Sequence, residues 1–214
     1  MTTRLQPYFT PDTIEARSFA IIDSEVPEPR PFEGPQWDIA RRLIHTTADF
    51  DLLNHIQFHP DAIGTGVAAL RNGCTVFTDT EMARSGIPLR RMEPLGCAVS
   101  CLLNRPDVVE AAKRDKTTRA HAAMNAASDD LAGSVVAIGN APTALIRLAE
   151  HLAAGKPAPA LVVAMPVGFV NASESKELFL NTTDVPFITI RGRKGGSALA
   201  AATVNALAVM ALQQ

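Results

Sequence analysis

The stretch Ile44-His45-Thr46-Thr47-Ala48-Asp49-Phe50 sets a lone imidazole beside two hydroxyls and a carboxylate. Residues of these types could move a proton near neutral pH, with His45 as the donor and Thr46 or Asp49 orienting its ring. The same pattern also ends a helix, because a cationic imidazole suits a helix C-terminus and hydroxyl and carboxylate side chains finish turns. Residue type alone leaves both roles open.

Three further stretches could hold negative charge. Gly139-Asn140-Ala141-Pro142-Thr143 joins a glycine to a proline-started helix, whose first amides can face an anion. "MPVGFVNASESKE", residues 165 to 177, carries Gly168 in a turn before a helix. "RGRKGGSALA", residues 191 to 200, places Arg191, Arg193 and Lys194 among Gly192, Gly195 and Gly196 directly before a helix start. Glycine and proline punctuate every such connection, and loop cations are often merely solvated. Three of these turns together, one with three cations in four residues, point instead to a ligand with several negative groups. No GxGxxG follows the first strand and no GxxxxGK[ST] occurs, so the nucleotide reading lacks its fingerprint. A polycarboxylate would be held by the same amides and by guanidinium groups.

Other chemical residues are more ambiguous. Asp79 and Glu81 open a helix, where capping suits Asp79. Arg119 stands at a helix start, unfavourable for the helix dipole, and either reaches for an anion or points into solvent. No metal site is expected. His55 and His59 are four apart without an HExxH acid, and Cys74, Cys97 and Cys101 lack zinc spacing and read as reduced core residues.

The elements that must position these residues follow from periodicity. Short apolar or β-branched runs at 75–78, 98–103, 134–138, 160–164 and 187–190 each end in a turn and precede a helical pattern, the signature of parallel strands with helical crossovers. Ligands of such sheets bind beyond the carboxyl ends of the strands. Helices are expected at 105–115, with proline at its start and Lys113 and Arg114 near its end, and from Pro142 to Gly155. Upstream, residues 11–25, 35–47 and 61–71 read as helical, giving a helical N-terminal region of about 1–72 within a single domain of 1–214. The last helix, Ser197 to Leu212, is apolar almost all round and must be covered on several sides, by a second subunit or by its own layer.

Composition sets outer limits. With 47% hydrophobic and 20% charged residues and a net charge of -2, the chain has no basic coat to gather nucleic acid or an anionic membrane. The run 197–212 is interrupted by Thr203 and Asn205 and is too short to span a bilayer. "MTTRLQPYFTPD" lacks an apolar leader segment, which makes the cytoplasm the expected location.

The succession "RSFAII", "RRLIHTTADF", "FHPDAI", "TDTEM", "TTRAHAA", "SVVAIGNAPTAL", "MPVGFVNASESKE" and "RGRKGGSALAAATVNALA" strongly resembles the precorrin-8X methylmutase family of cobalamin biosynthesis. The similarity runs from Ile14 to Ala208. Ala48 and Asn171 depart from it, standing where glycine is frequent in the family.

The resemblance implies an α/β fold, a three-layer α/β/α sandwich on a mainly parallel five-stranded sheet of flavodoxin-like, doubly wound form, in a homodimer. It implies an isomerase that moves one methyl group from C11 to C12 of a tetrapyrrole, without a cofactor. The product, hydrogenobyrinic acid or its cobalt-containing equivalent, would pass to neighbouring cobalamin-pathway enzymes. By the resemblance His45 matches the catalytic histidine, Arg119 a substrate-contacting arginine, and Ser18 a position near the bound corrinoid. The residues themselves add Asn140, Gly168, Arg193, Gly195 and Gly196 as contacts to ring carboxylates. A carrier that binds the corrinoid without turnover, and a nucleotide enzyme using "GRKGGS", are the competing readings.

Overall fold

A computed structural model describes residues 10–213; the N-terminal stretch examined for a leader lies almost wholly outside them. Two helices come first, α1 (Pro11–Glu25) and α2 (Gly34–Thr47), then strand β1 (Ile56–Phe58) and helix α3 (Ala62–Arg71). Strand β2 (Thr75–Thr78) leads to the short helices α4 (Glu81–Ser85) and α5 (Leu89–Met92), and β3 (Ala98–Ser100) to α6 (Pro106–Arg114) and α7 (Arg119–Ala127). The remainder alternates strictly: β4 (Val135–Ile138), α8 (Pro142–Ala153), β5 (Leu161–Ala164), α9 (Ala172–Thr182), β6 (Phe187–Ile190) and α10 (Ser197–Leu212).

The sheet has six strands in the order β1-β6-β5-β4-β2-β3, which corrects the expected five. The additional strand is β1, three residues in the helical N-terminal region between the helices read at 35–47 and 61–71, pairing antiparallel to β6 with Gln57 opposite Thr189. It is too short to show alternation, and it exists because β6 offers an open edge. The other five strands are parallel and run β3-β2-β4-β5-β6, the flavodoxin-like 2-1-3-4-5 order.

Strands β4, β5 and β6 are buried along their whole length, so their residues divide between the two faces with period two. Val135, Ala137, Leu161, Val163, Ile188 and Ile190 share one core with α3 and α10, which lie on the sheet, and with α2, which packs on α10. Val136, Ile138, Val162, Ala164 and Phe187 pack under α7, α8 and α9. Each fully buried large side chain, such as Leu43, Leu145 or Phe179, contributes about 1.5–3 kcal/mol of transfer free energy.

Helix α10 is covered within its own chain. Eleven of its residues are buried, among them Leu199, Val204 and Leu207, against α2, α3, α4, α5 and the sheet. Of the two ways to cover an all-apolar helix, the protein uses its own layers.

Candidate active site

His45 lies in the last turn of α2, exposed, with its ring edge-on to Phe19 of α1 at 5.4 Å between centroids. Neither ring nitrogen hydrogen-bonds to another described residue. The neighbours that could have oriented it are engaged elsewhere. Thr46 donates its hydroxyl to the Arg42 carbonyl at 2.8 Å and Thr47 to the Leu43 carbonyl at 3.0 Å, bonds that close the helix. Asp49 accepts from the Asp51 amide at 3.0 Å and from the Lys194 ammonium at 2.7 Å. The helix then stops at Ala48, left-handed at φ 53°. Glu15 of α1 also faces this end of α2: the Arg42 guanidinium beside it holds its carboxyl below the usual range, with smaller contributions from Arg91 and His45. Ser18, one residue before Phe19, donates its hydroxyl to the Ile14 carbonyl.

Beside that helix end opens a cavity of about 370 Å³. Thr47 and Asp49 form one wall, Val167, Gly168 and Phe169 of the β5–α9 loop a second, and Arg193, Lys194 and Gly195 of the β6–α10 loop a third. The three cations expected in this loop are not equivalent. Arg191 pairs with Glu177 at 2.8 Å, and Lys194 reaches both Asp49 and Asp51 at 2.7 Å. Arg193 has no carboxylate partner among the described residues, and its guanidinium lies over the Phe169 ring at 5.4 Å. The Lys194 bridges tie the loop after α2 to the β6–α10 loop, and so join two walls of the cavity.

The crevice where the sheet order reverses, between the ends of β2 and β4, is already filled. The Asp79 carboxylate accepts the amide N–H of Gly139, Asn140 and Ala141 at 2.9, 2.8 and 2.7 Å. Burial pushes the Asp79 carboxyl above its ordinary value, against the pull of those three amides. The amides expected to receive an external anion therefore hold an internal one, and Asn140 keeps only its exposed side chain for a ligand. Asp79 does cap, but across the sheet; its own helix α4 is capped by the Thr80 hydroxyl, which accepts from the Ala83 amide. Gly139 is small for packing: a Cβ there would lie 2.6 Å from Ser197 Cα. Gly195 is pressed against the Met165 carbonyl oxygen in the same way.

The other expected contacts are distributed along this edge. Gly196 donates its amide to the Met165 carbonyl at 3.0 Å and opens α10 at φ 136°. Arg119, the first residue of α7, donates to the Asn104 side chain at 2.8 Å, on the β3–β4 side. The cavity wall thus gathers Gly168, Arg193 and Gly195, while His45, Ser18, Arg119, Asn140 and Gly196 lie outside its lining, His45 two residues before the wall residue Thr47.

Sequence reasoning missed Lys176. Its ammonium is fully buried and donates to the carbonyls of Ile190, Gly192 and Lys194 at 2.7, 2.9 and 2.6 Å. A signal was present: Ala172, Ser175, Lys176 and Phe179 fall at i, i+3, i+4 and i+7, the inward face of α9. Among the described residues no His, Cys, Asp and Glu cluster suited to a metal occurs, and no helix is long and apolar enough to cross a membrane.

A mostly parallel sheet flanked by helices carries, at its carboxyl edge, a cavity lined by Gly168, Gly195, Arg193 and Lys194, the place where open α/β sheets bind small molecules. The family model described as CbiC, precorrin-8X methylmutase, matches residues 13–210. The chain belongs to the precorrin-8X methylmutase family and is an enzyme of that type in cobalamin biosynthesis. It is 45% identical over 202 residues to a cobalt-precorrin-8 methylmutase of Salmonella typhimurium, covering 92% of this chain and 94% of that one. To a precorrin-8X methylmutase of Sinorhizobium sp it is 44% identical, covering 92% and 93%. The crystal structure of precorrin-8x methyl mutase from Thermus thermophilus superposes with a TM-score of 0.87 at 40% identity, over 94% of this chain and 96% of that one.

Proposed function

We propose that His45 is the general acid of a methyl shift from C11 to C12 of the macrocycle. A proton given to, or shared with, the ring C nitrogen makes the adjacent carbons electron-poor and lowers the barrier to migration. The shift is intramolecular, so the protein has only to hold and polarise the ring. The observation that carries this reading is the state of His45: exposed, with both nitrogens free of described partners, and supported edge-on by Phe19. Incubation of the purified protein with precorrin-8X, without added cofactor, is expected to turn the yellow substrate orange. His45→Ala is expected to lower that rate by about 10²–10⁴-fold, and a wild-type rate would refute the assignment.

Arg193 is read as the cavity's carboxylate contact, supported by its lack of an internal carboxylate partner. Gly168 and Gly195 leave room beside it, Gly196 fixes the start of α10, and Arg119, Asn140 and Ser18 serve parts of the macrocycle beyond the cavity. The scaffold is read as a three-layer α/β/α sandwich, supported by hydrophobic clusters on opposite sheet faces. A cytoplasmic homodimer that hands product to neighbouring cobalamin-pathway enzymes completes the reading. Exposed Phe169 and Val170, at 84% and 78%, are apolar surface suited to a second subunit. Light scattering is expected to give twice the chain mass of 22.8 kDa; a monomer at working concentration would remove the dimer. Parallel incubation with metal-free and cobalt-loaded substrate assigns the preferred form.

A further inference from the structure

We propose that Lys176 is the positioning residue of this site: its ammonium gathers the Ile190, Gly192 and Lys194 carbonyls and so turns the Arg193 and Gly195 N–H groups toward a carboxylate of the bound macrocycle. The inference rests on the reading of the cavity as the substrate's carboxylate end. In a planar trans peptide the N–H points opposite to the preceding C=O. With the Gly192 and Lys194 carbonyls drawn to the ammonium, the N–H groups of Arg193 and Gly195 point away from it. Neither donates to another described residue, and both residues line the cavity. Two outward amides, either side of Lys194, beside a guanidinium offer donors to one oxyanion.

The cost of Lys176 argues for a purpose. It has no carboxylate partner among the described residues, and burial pushes its ammonium down to about 8, although three carbonyls favour the charged form. A methionine would fill the space without desolvating a charge but would leave those carbonyls without their donor. All three acceptors belong to one stretch, 190–194, so the lysine acts on the cavity's basic wall and nowhere else.

Steady-state kinetics on Lys176→Met, Arg193→Ala and the double variant tests this, with precorrin-8X as substrate. Folded Lys176→Met is expected to raise KM about tenfold with kcat within about threefold of wild type. Because both changes disable one cradle, the double variant is expected to be little worse than the worse single one. A wild-type KM for folded Lys176→Met, beside a raised KM for Arg193→Ala, would overturn the role of Lys176 alone. A wild-type KM for Arg193→Ala would overturn it through the cavity reading beneath it. If Lys176→Met does not fold, nuclear magnetic resonance of the wild type decides: saturating product is expected to shift the Arg193 and Gly195 amide signals, and unmoved signals would refute the cradle.

Discussion

Ala48 and Asn171 both adopt the left-handed backbone region, at φ 53° and 60°. A side chain there costs about 1–2 kcal/mol, partly offset against glycine by glycine's greater freedom when unfolded. Ala48→Gly is therefore expected to raise stability by about 0.5–1 kcal/mol, read from the urea midpoint, and Asn171→Gly by less because asparagine tolerates this conformation. Asp51 offers a second test. Lys194 first, then Asn54, hold its carboxyl down to about 2 from an ordinary 3.8. Because the folded value is the lower one, the stability this pair adds is whole above 3.8 and is lost as pH falls through about 2. In Lys194→Met the Asp51 titration, followed by carboxyl carbon resonance, is expected to return toward 3.8.

The start of α10 and the β4–α8 turn meet backbone to backbone. Gly139→Ala would drive a methyl into Ser197 and Gly196, and is expected to destabilise by about 1–3 kcal/mol in urea unfolding. Periodicity revealed α2, α3, α8, α10 and five strands because each buries one face or all of itself, so pattern and environment agree. It did not reveal β1, whose three residues are a strand only because β6 lies alongside. The loops bearing the site were legible from their glycines and cations, but their internal partners were not. Asp79 reaches amides 60 residues ahead, and Lys194 reaches back past 140 residues to Asp49 and Asp51. Such pairings are set by strand order, which local sequence does not encode. Ser18 became a candidate only through the family's motifs, and for His45 residue type alone left proton donor and helix end equally open, since nothing local separates either from ordinary helix residues.

At the scale of the molecule, the two hydrophobic clusters share the same strands through opposite faces, so neither face keeps its cover when the sheet is lost. The chain is expected to unfold as one unit. Trp37, the sole tryptophan, is buried in the first cluster, whereas far-ultraviolet circular dichroism reports helices on both faces. Coincident urea transitions by the two probes are expected; separated midpoints would show that the layers unfold independently.

Lys176 and Asp79 share a property with a consequence for change over time and for redesign. Each holds its loop only through main-chain atoms, three carbonyls in one case and three amides in the other. Neither grip depends on which side chains the loop carries, apart from the glycines that packing requires. Positions such as Arg193 and Asn140 can accordingly be exchanged to suit a differently charged macrocycle while the loop keeps its shape, which makes this edge of the sheet a mould whose lining can be replaced.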